Sequence, residues 1–398
     1  MSEEKPPRRP RRPRQEAEAT IETGVEEAPP LVTCHHCMHT VPAGEYCGHC
    51  GAHLAIRRPG DRRRAQAFAA SPGEHVYQVS VITTLFPHLP HRGGHAFRWA
   101  LLGGGALVLV LAGLHLFAPA TAVAAALLPA LYLLYLYEVE VYEHEPWLVV
   151  GATFAAGAIL GLAFNLLVEP AYTQAALTRD QASALLLGAA TIPILSQCLM
   201  LLGPLLLLRR PHFDETLDGL TFGAASALGY SLAATLVAFL PVLGGPLVGS
   251  GSTLDWALRL LRAGILVSLV NASTTGLVAS ALWLRRHGRG RHYHENWRWG
   301  LPAAIVAAFG AQVLLGLLNL LLPDLLLDVL AYALMAALLL LYLRLVLHHA
   351  LLEEGAEHEI GPAAACPECH RLVPTMLFCP SCGVARSAAS KRIARGAA

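Results

Sequence analysis

The sequence predicts an all-α polytopic membrane protein of about eight transmembrane helices, with a small cysteine-rich module at either end. Three observations predict it. Only 14% of the 398 residues are charged, 55% are hydrophobic, and the mean hydropathy is +0.48, whereas soluble domains carry about 25% charged residues. The charge is sparse between Phe97 and Leu347 and gathers at the two ends. Eight of the nine cysteines stand in four Cys-x-x-Cys pairs, two pairs towards each end. The first two observations exclude an ordinary soluble globule. A net charge of +1 argues for no particular partner; Arg8, Arg9, Arg11, Arg12 and Arg14 offer a contact to anionic headgroups or RNA, but the preferred reading is a solvated tail, so nucleic acid is not an expected partner.

In chain order, residues 1–30 read as a solvated, disordered tail, because a Pro-, Arg- and Glu-rich stretch buries too little to offset its ordering entropy. Residues 31–55 hold the first cysteine module. Residues 56–96 read as a basic linker, with Arg57, Arg58, Arg62, Arg63 and Arg64, and then a membrane-proximal segment. Phe97-Arg98-Trp99 suits aromatic rings at headgroup depth. The membrane domain is expected at 97–348, a linker at 349–362, the second module at 363–385 and a tail at 386–398. No short apolar run follows a charged start, so a cleavable signal is not expected and the N-terminus is placed in the cytosol.

Within the membrane domain, eight apolar segments match the length of about 20 residues per helical crossing. They lie near 97–118, 120–137, 147–168, 183–208, 217–240, 256–284, 299–322 and 325–348, with breaks at Pro119, the acidic stretch 138–146, Arg179-Asp180, Arg209-Arg210-Pro211, the loop 241–252, the Arg/His-rich loop 285–298 and Pro323-Asp324. The joint at Pro119 is so tight that seven or nine helices also fit. Eight crossings put both ends on one side. Arg209, Arg210, Arg285, Arg286, Arg289, Arg291 and Arg298 fall in the loops of that side, so the positive-inside rule places both termini in the cytosol, with Arg259 and Arg262 as exceptions. Small-xxx-small pairs, Gly157/Gly161 and Gly219/Gly223, suit close helix packing.

The cysteines form Cys34/Cys37 with Cys47/Cys50, and Cys366/Cys369 with Cys379/Cys382. In both modules nine residues separate the inner cysteines, and a glycine, Gly51 or Gly383, follows the last. Two such turns bring four thiolates to the corners of a tetrahedron, the geometry of a structural Zn²⁺ site. The expected cofactor is therefore two structural Zn²⁺ ions in two small cytosolic zinc-ribbon modules, whose folding free energy comes from the metal. Disulfides are not expected on a reducing side of the membrane. His35, His36, His39 and His49 read as surface residues, because four thiolates already fill the tetrahedron. Cys198, the ninth cysteine, reads as a small packing residue inside the fourth helix.

Ionisable groups at bilayer depth are costly and mark function, and this sequence has few. The fourth helix carries Thr191, Ser196 and Gln197. The fifth carries Thr221, Ser226, Tyr230, Ser231 and Thr235, with Asp218 at its cytosolic end, and the sixth carries Asn271, Ser273, Thr274 and Thr275. None has a carboxylate or histidine well inside, so general acid–base catalysis lacks a proton shuttle. His115, near the outer end of the first helix, reads as a packing residue. The acids Glu138, Glu140, Glu143 and Glu145, with His144, read as a hydrated loop.

Several of these residues also carry a resemblance. Tyr142-Glu143-His144-Glu145-Pro146-Trp147 resembles the YEPEP element that precedes a membrane helix in the PrsW family, glutamic intramembrane proteases related to the CAAX-prenyl-protease superfamily. Arg209-Arg210 and the run from Phe213 through Leu217-Asp218-Gly219 to Gly223-Ala224 resemble the family's RR…FD-x-x-LDG-x-x-x-GA stretch. Ala227-Leu228-Gly229-Tyr230 stands where the family reads GLGF. The segment Leu85-Phe86-Pro87-His88-Leu89-Pro90 is similar to membrane-proximal segments of zinc-ribbon-bearing relatives in high-GC bacteria. The resemblance covers roughly 85–285 and implies a multi-pass protein of the bacterial inner (cytoplasmic) membrane.

The family's catalytic letters are absent. Registered on Pro193, its paired glutamates and lysine fall at Ser196, Gln197 and Met200. Its Glu-Asn falls at Ala234 and Thr235, and its histidine at Asn271. The resemblance thus implies a degenerate member whose old active-site cavity is a polar binding pocket lined by Ser196, Gln197, Asn271 and Thr275. The expected partners are the lipid bilayer and an unidentified cytosolic protein recruited through the ribbons. The alternative is an active peptidase that uses Glu169 or the acids of 138–145. A transporter would need coupling charges that the helices lack.

Overall fold

The computed structural model describes residues 30–35, 38–55, 67–68, 71–85, 95–139, 147–177, 186–213, 215–246, 248, 251–287, 300–322, 324–355, 360–366 and 369–384. The acids at 140–145, the basic runs at 8–14 and 57–64, and Cys37 lie outside them.

Apolar runs long enough to satisfy every backbone group internally form helices, since hydrocarbon offers the backbone no partner. They are α2 (His95–Gly113), α3 (Phe117–Val139), α4 (Trp147–Leu177), α5 (Ile192–Leu207), α6 (Thr216–Ala238), α9 (Val267–His287), α10 (Gly300–Leu321) and α11 (Leu325–Gly355). A π-helical turn, Leu186–Thr191, leads into α5. The short α7 (Leu240–Leu243) follows α6, and α8 (Thr253–Leu260) joins α9 through a second π turn, Leu261–Leu266. Among the described residues, eight stretches are long and apolar enough to cross a membrane, so the chain is a multi-pass membrane protein. Pro119 lies in the first turn of α3, not in the break, and the joint is Leu114-His115-Leu116. His115 sits in that joint with φ 58° and its ring edge on Phe117, instead of packing within a helix. The last helix continues to Gly355, into what the sequence reads as a linker.

The buried centre is α6, 83% of whose span is inside the molecule, against 11% for α2. Glycines on both sides make this possible. Gly157 and Gly161 of α4 lie against the carbonyls of Ser226 and Tyr230, and a Cβ on Gly161 would stand 2.7 Å from the latter. Gly219 and Gly223 of α6 lie against Ala279 and Gly276 of α9. Both small-xxx-small pairs thus pack within one chain. At the N-terminus of α6, Asp218 accepts the Glu215 N–H at 3.1 Å, half of a reciprocal capping box. Trp283 Nε1 donates to the Phe213 carbonyl (3.1 Å), and Arg286 donates to the carbonyls of Leu208 (2.6 Å) and Arg210 (3.0 Å). The loop that carries Arg209-Arg210 and leads to the Leu-Asp-Gly letters in the first turn of α6 is therefore clamped to α9.

The membrane-proximal segment is more built than a lead-in. Strands β3 (Ala67–Phe68) and β4 (Ser71–His75) pair, and α1 (Val81–Leu85) follows. All three sit on Arg344 of α11, which is fully buried. Its guanidinium donates to Glu74 (2.9 Å), Thr83 (2.8 Å) and the His75 carbonyl (3.1 Å), and lies 3.9 Å from the centre of the Phe68 ring. Phe97 is buried while Trp99 is 73% exposed, so only the second ring faces outward.

At the ends, β1 (Leu31–Thr33) pairs antiparallel with β2 (Thr40–Pro42), and β5 (Gly361–Ala365) with β6 (Leu372–Thr375). The two modules are docked on each other. Tyr46 N–H donates to the Pro380 carbonyl (3.0 Å), and Phe378 N–H to the Gly48 carbonyl (2.9 Å). Tyr46 and Gly48 hold in the first module the places of Phe378 and Pro380 in the second, so the contacts are reciprocal. The two modules consequently lie on one side of any membrane the eight spans cross.

Candidate functional site

Four helices bring a buried polar network together. Gln197 of α5 is fully buried; its Nε2 donates to Thr275 Oγ1 of α9 (3.2 Å), and its Oε1 accepts from Thr274 Oγ1 (2.9 Å) and from Gln312 Nε2 of α10 (3.2 Å). Gln312 Nε2 also lies 2.8 Å from Asn271 Oδ1. Asn271 Nδ2 donates to Ser231 Oγ of α6 at 2.9 Å. Gln197 and Asn271 therefore share a partner across three helices. The sequence reading did not include Gln312; its signal is an amide in the apolar run of α10, which it shares with Asn319.

The predicted residues do not all meet. Gln197, Asn271 and Thr275 lie in the network. Ser196, the next residue back on α5, points to another face and shares a 2.7 Å hydrogen bond with Tyr230 Oη, which Asn165 Nδ2 also approaches (3.4 Å). Met200 is buried against Ala227 and Tyr230, with Ala234 beside it, and its sulfur is 3.9 Å from Thr275 Oγ1. Thr235 instead donates to the Ala263 carbonyl (3.3 Å). At the place of the expected pocket, Gln197, Asn271 and Thr275 are hydrogen-bonded with Thr274, Gln312 and Ser231. Cys198 is exposed on the outside of α5, not packed inside, because one helical step past Gln197 turns it outward. Glu169 is in α4, and its side chain, like that of Glu138, lies outside the described residues.

A second polar group went unread. Arg262 in the π turn pairs with Asp328 of α11, donates to Asn319 Oδ1 of α10 (2.8 Å) and stacks 4.8 Å from the Tyr332 ring centre. Asn319 lies two turns from Gln312 on α10, so one stripe of that helix carries both groups. The charge at Arg262, an exception to the positive-inside pattern, is thereby neutralised.

In the cysteine modules, Cys366, Cys369, Cys379 and Cys382 offer sulfur atoms all within 4.8 Å of one another, as do Cys34, Cys47 and Cys50. The Cys34–Cys50, Cys366–Cys382 and Cys369–Cys379 sulfur separations are each 3.8 Å. Four thiolates about 2.3 Å from one tetrahedral ion stand about 3.8 Å apart, so the clusters are shaped to hold a metal. Crowding splits the thiols. Hydrogen bonds from Cys366 and Cys382 hold the Cys379 thiol down at about 3, while the same neighbourhood pushes Cys382 up. The Cys50 thiol, aided by backbone N–H groups, brings Cys47 down to about 5 against the opposing effect of burial. The His39 and His49 rings stack on each other at 3.9 Å, outside the sulfur cluster.

The clamped loop and the central network lie within the stretch matched by one known family. A model described as the PrsW family intramembrane metalloprotease matches residues 145–345. The chain belongs to the PrsW family. No curated protein and no solved structure matches it. The PrsW match begins at Glu145 in the YEPEP-like element and runs through α10 into α11, further than the resemblance read from motifs. It therefore includes Gln312. The family's description names a metal where the motif resemblance gave a glutamic protease. Zinc is held by Cys, His, Asp or Glu, and the PrsW network here offers amides and hydroxyls already paired with each other. That donor set does not fit a catalytic metal.

Proposed function

We propose that this PrsW chain is a non-catalytic member of its family: a pseudoprotease of the bacterial cytoplasmic membrane, with both ends in the cytosol. One observation carries the reading. At the places matching the family's paired glutamates and histidine stand Ser196, Gln197 and Asn271, and the two amides are spent on Ser231, Thr274, Thr275 and Gln312. Peptide hydrolysis needs a group that takes and returns a proton near neutral pH, and losing one such group costs about 10²–10⁴ in rate. Here the acids, the lysine and the histidine are replaced together.

The zinc ribbons are the working surface of this reading. A closed four-thiolate site leaves no open position for water, so each ribbon supplies rigid shape to a cytosolic protein partner, while the membrane domain engages the bilayer. The cytosolic orientation is supported by Arg286, which holds the Arg209-Arg210 loop and the end of α9 together. The test is proteolysis by the full chain in liposomes against a library of transmembrane peptides, read by mass spectrometry. No cleavage above protein-free liposomes is expected. Cleavage that disappears in Glu169→Gln, or in Glu143→Gln with Glu145→Gln, would overturn the proposal.

A further inference from the structure

We infer that the two ribbons are one metal-dependent clasp, in which filling either site strengthens the other and emptying either opens the joint between the chain's ends. This rests on the reading of the ribbons as metal modules. Their internal geometry repeats at a constant offset. Met38 and His370 take positive φ of 63° and 58°, and Gly51 and Gly383 of 71° and 75°. Cys34 N–H donates to the His39 carbonyl as Cys366 N–H does to Arg371, and Cys47 N–H donates to the Ala52 carbonyl as Cys379 N–H does to Val384.

The docking surface repeats too, with the partners exchanged. Phe378 covers Gly51, where a Cβ would come within 3.0 Å of its ring, and Tyr46 covers Gly383, where one would come within 2.7 Å. Met376 lies on Gly48, and Pro380 on Gly44. The same patch is used on both sides, as in a two-fold dimer. Met376 also completes the buried cluster of Cys34, Val41 and Cys47 in the opposite ribbon.

These contacts fall where the metal acts. Tyr46 and Phe378 immediately precede the ligands Cys47 and Cys379, and the carbonyls they reach, on Pro380 and Gly48, lie inside the opposite Cys-x-x-Cys turn. A turn that has lost its ion no longer fixes the carbonyl that its neighbour needs. A module of this size has too little core to keep the shape without one. By thermodynamic linkage, the coupling acts equally in both directions.

The experiment uses the full chain in nanodiscs, with donor and acceptor fluorescent proteins fused to its two ends. Zinc is counted by elemental analysis and withdrawn with a competing chelator. Two ions per chain are expected, leaving in a single transition with energy transfer falling in step. In Cys379→Ser the remaining N-terminal ion should yield at chelator concentrations lower by about tenfold, within the range of about 5–150-fold typical of site coupling. Gly44→Val keeps all eight ligands but drives a side chain into the Pro380 carbonyl, 2.6 Å from an added Cβ; both sites should weaken together. Two ions that leave independently, an unchanged N-terminal affinity in either variant, or energy transfer that survives metal removal would overturn the clasp and leave the metal modules standing. A wild-type chain that holds no zinc would overturn both.

Discussion

The membrane network and the cysteine modules each bring polar side chains to one point, and they do so with opposite chemistry. In the membrane network, Gln197, Asn271, Thr274, Thr275 and Gln312 each offer donors and acceptors, and they satisfy one another at 2.8–3.3 Å without any added ion. In the C-terminal ribbon four thiols crowd one point, which lowers the Cys379 thiol and raises that of Cys382. The first arrangement is complete as it stands; the second is shaped to hold a cation. Convergence alone therefore does not make a reactive centre. The donor type decides whether a cluster binds, reacts or simply holds helices together.

That contrast can be broken or sharpened by substitution. The largest effect is expected from Cys366→Ser, which should remove one zinc ion and collapse the C-terminal ribbon, seen as lost zinc content and rapid proteolysis of residues 361–384. Acidification should do the same to both ribbons, because protons compete with the metal for thiolates; a pH titration of bound zinc checks the direction. Next is Gln197→Glu. A carboxylate at that depth should cost about 3 kcal/mol and recruit no zinc, measured by unfolding in bicelles and by metal analysis. Gln312→Leu follows, with about 1 kcal/mol lost, since Gln197 and Asn271 each lose one bond. Ser196→Ala should cost least, under about 0.6 kcal/mol, in the same unfolding assay. A Ser196→Ala loss that changes in the Gln312→Leu background would mean that the two groups act as one network.

The spans were legible because hydropathy and the placement of arginine act over whole helices, and Thr216–Ala238 or Gly300–Leu321 differ from the sequence reading by only a residue or two. The cysteine clusters were legible because two pairs at fixed spacing leave few geometries open. The polar site was read only in part. Ser196 and Gln197 are adjacent, and adjacent helical residues point about 100° apart, so they cannot line one site equally. Gln312 lay beyond the motifs, in a helix with no other polar neighbour nearer than Asn319. The π turns at 186–191 and 261–266, and the Arg344–Glu74 anchor, depend on distant packing that no local pattern records. The docking of the ribbons joins residues more than three hundred positions apart and leaves no trace in either module taken alone.

That joint has a consequence for how the molecule is made. Two modules that flank eight candidate spans and grip each other close the stretch between them into a ring. The second half of the grip is translated after all eight spans. Synthesis of every span thus precedes closure, and Tyr46 and Gly51 stay uncovered until Phe378 and Gly383 arrive.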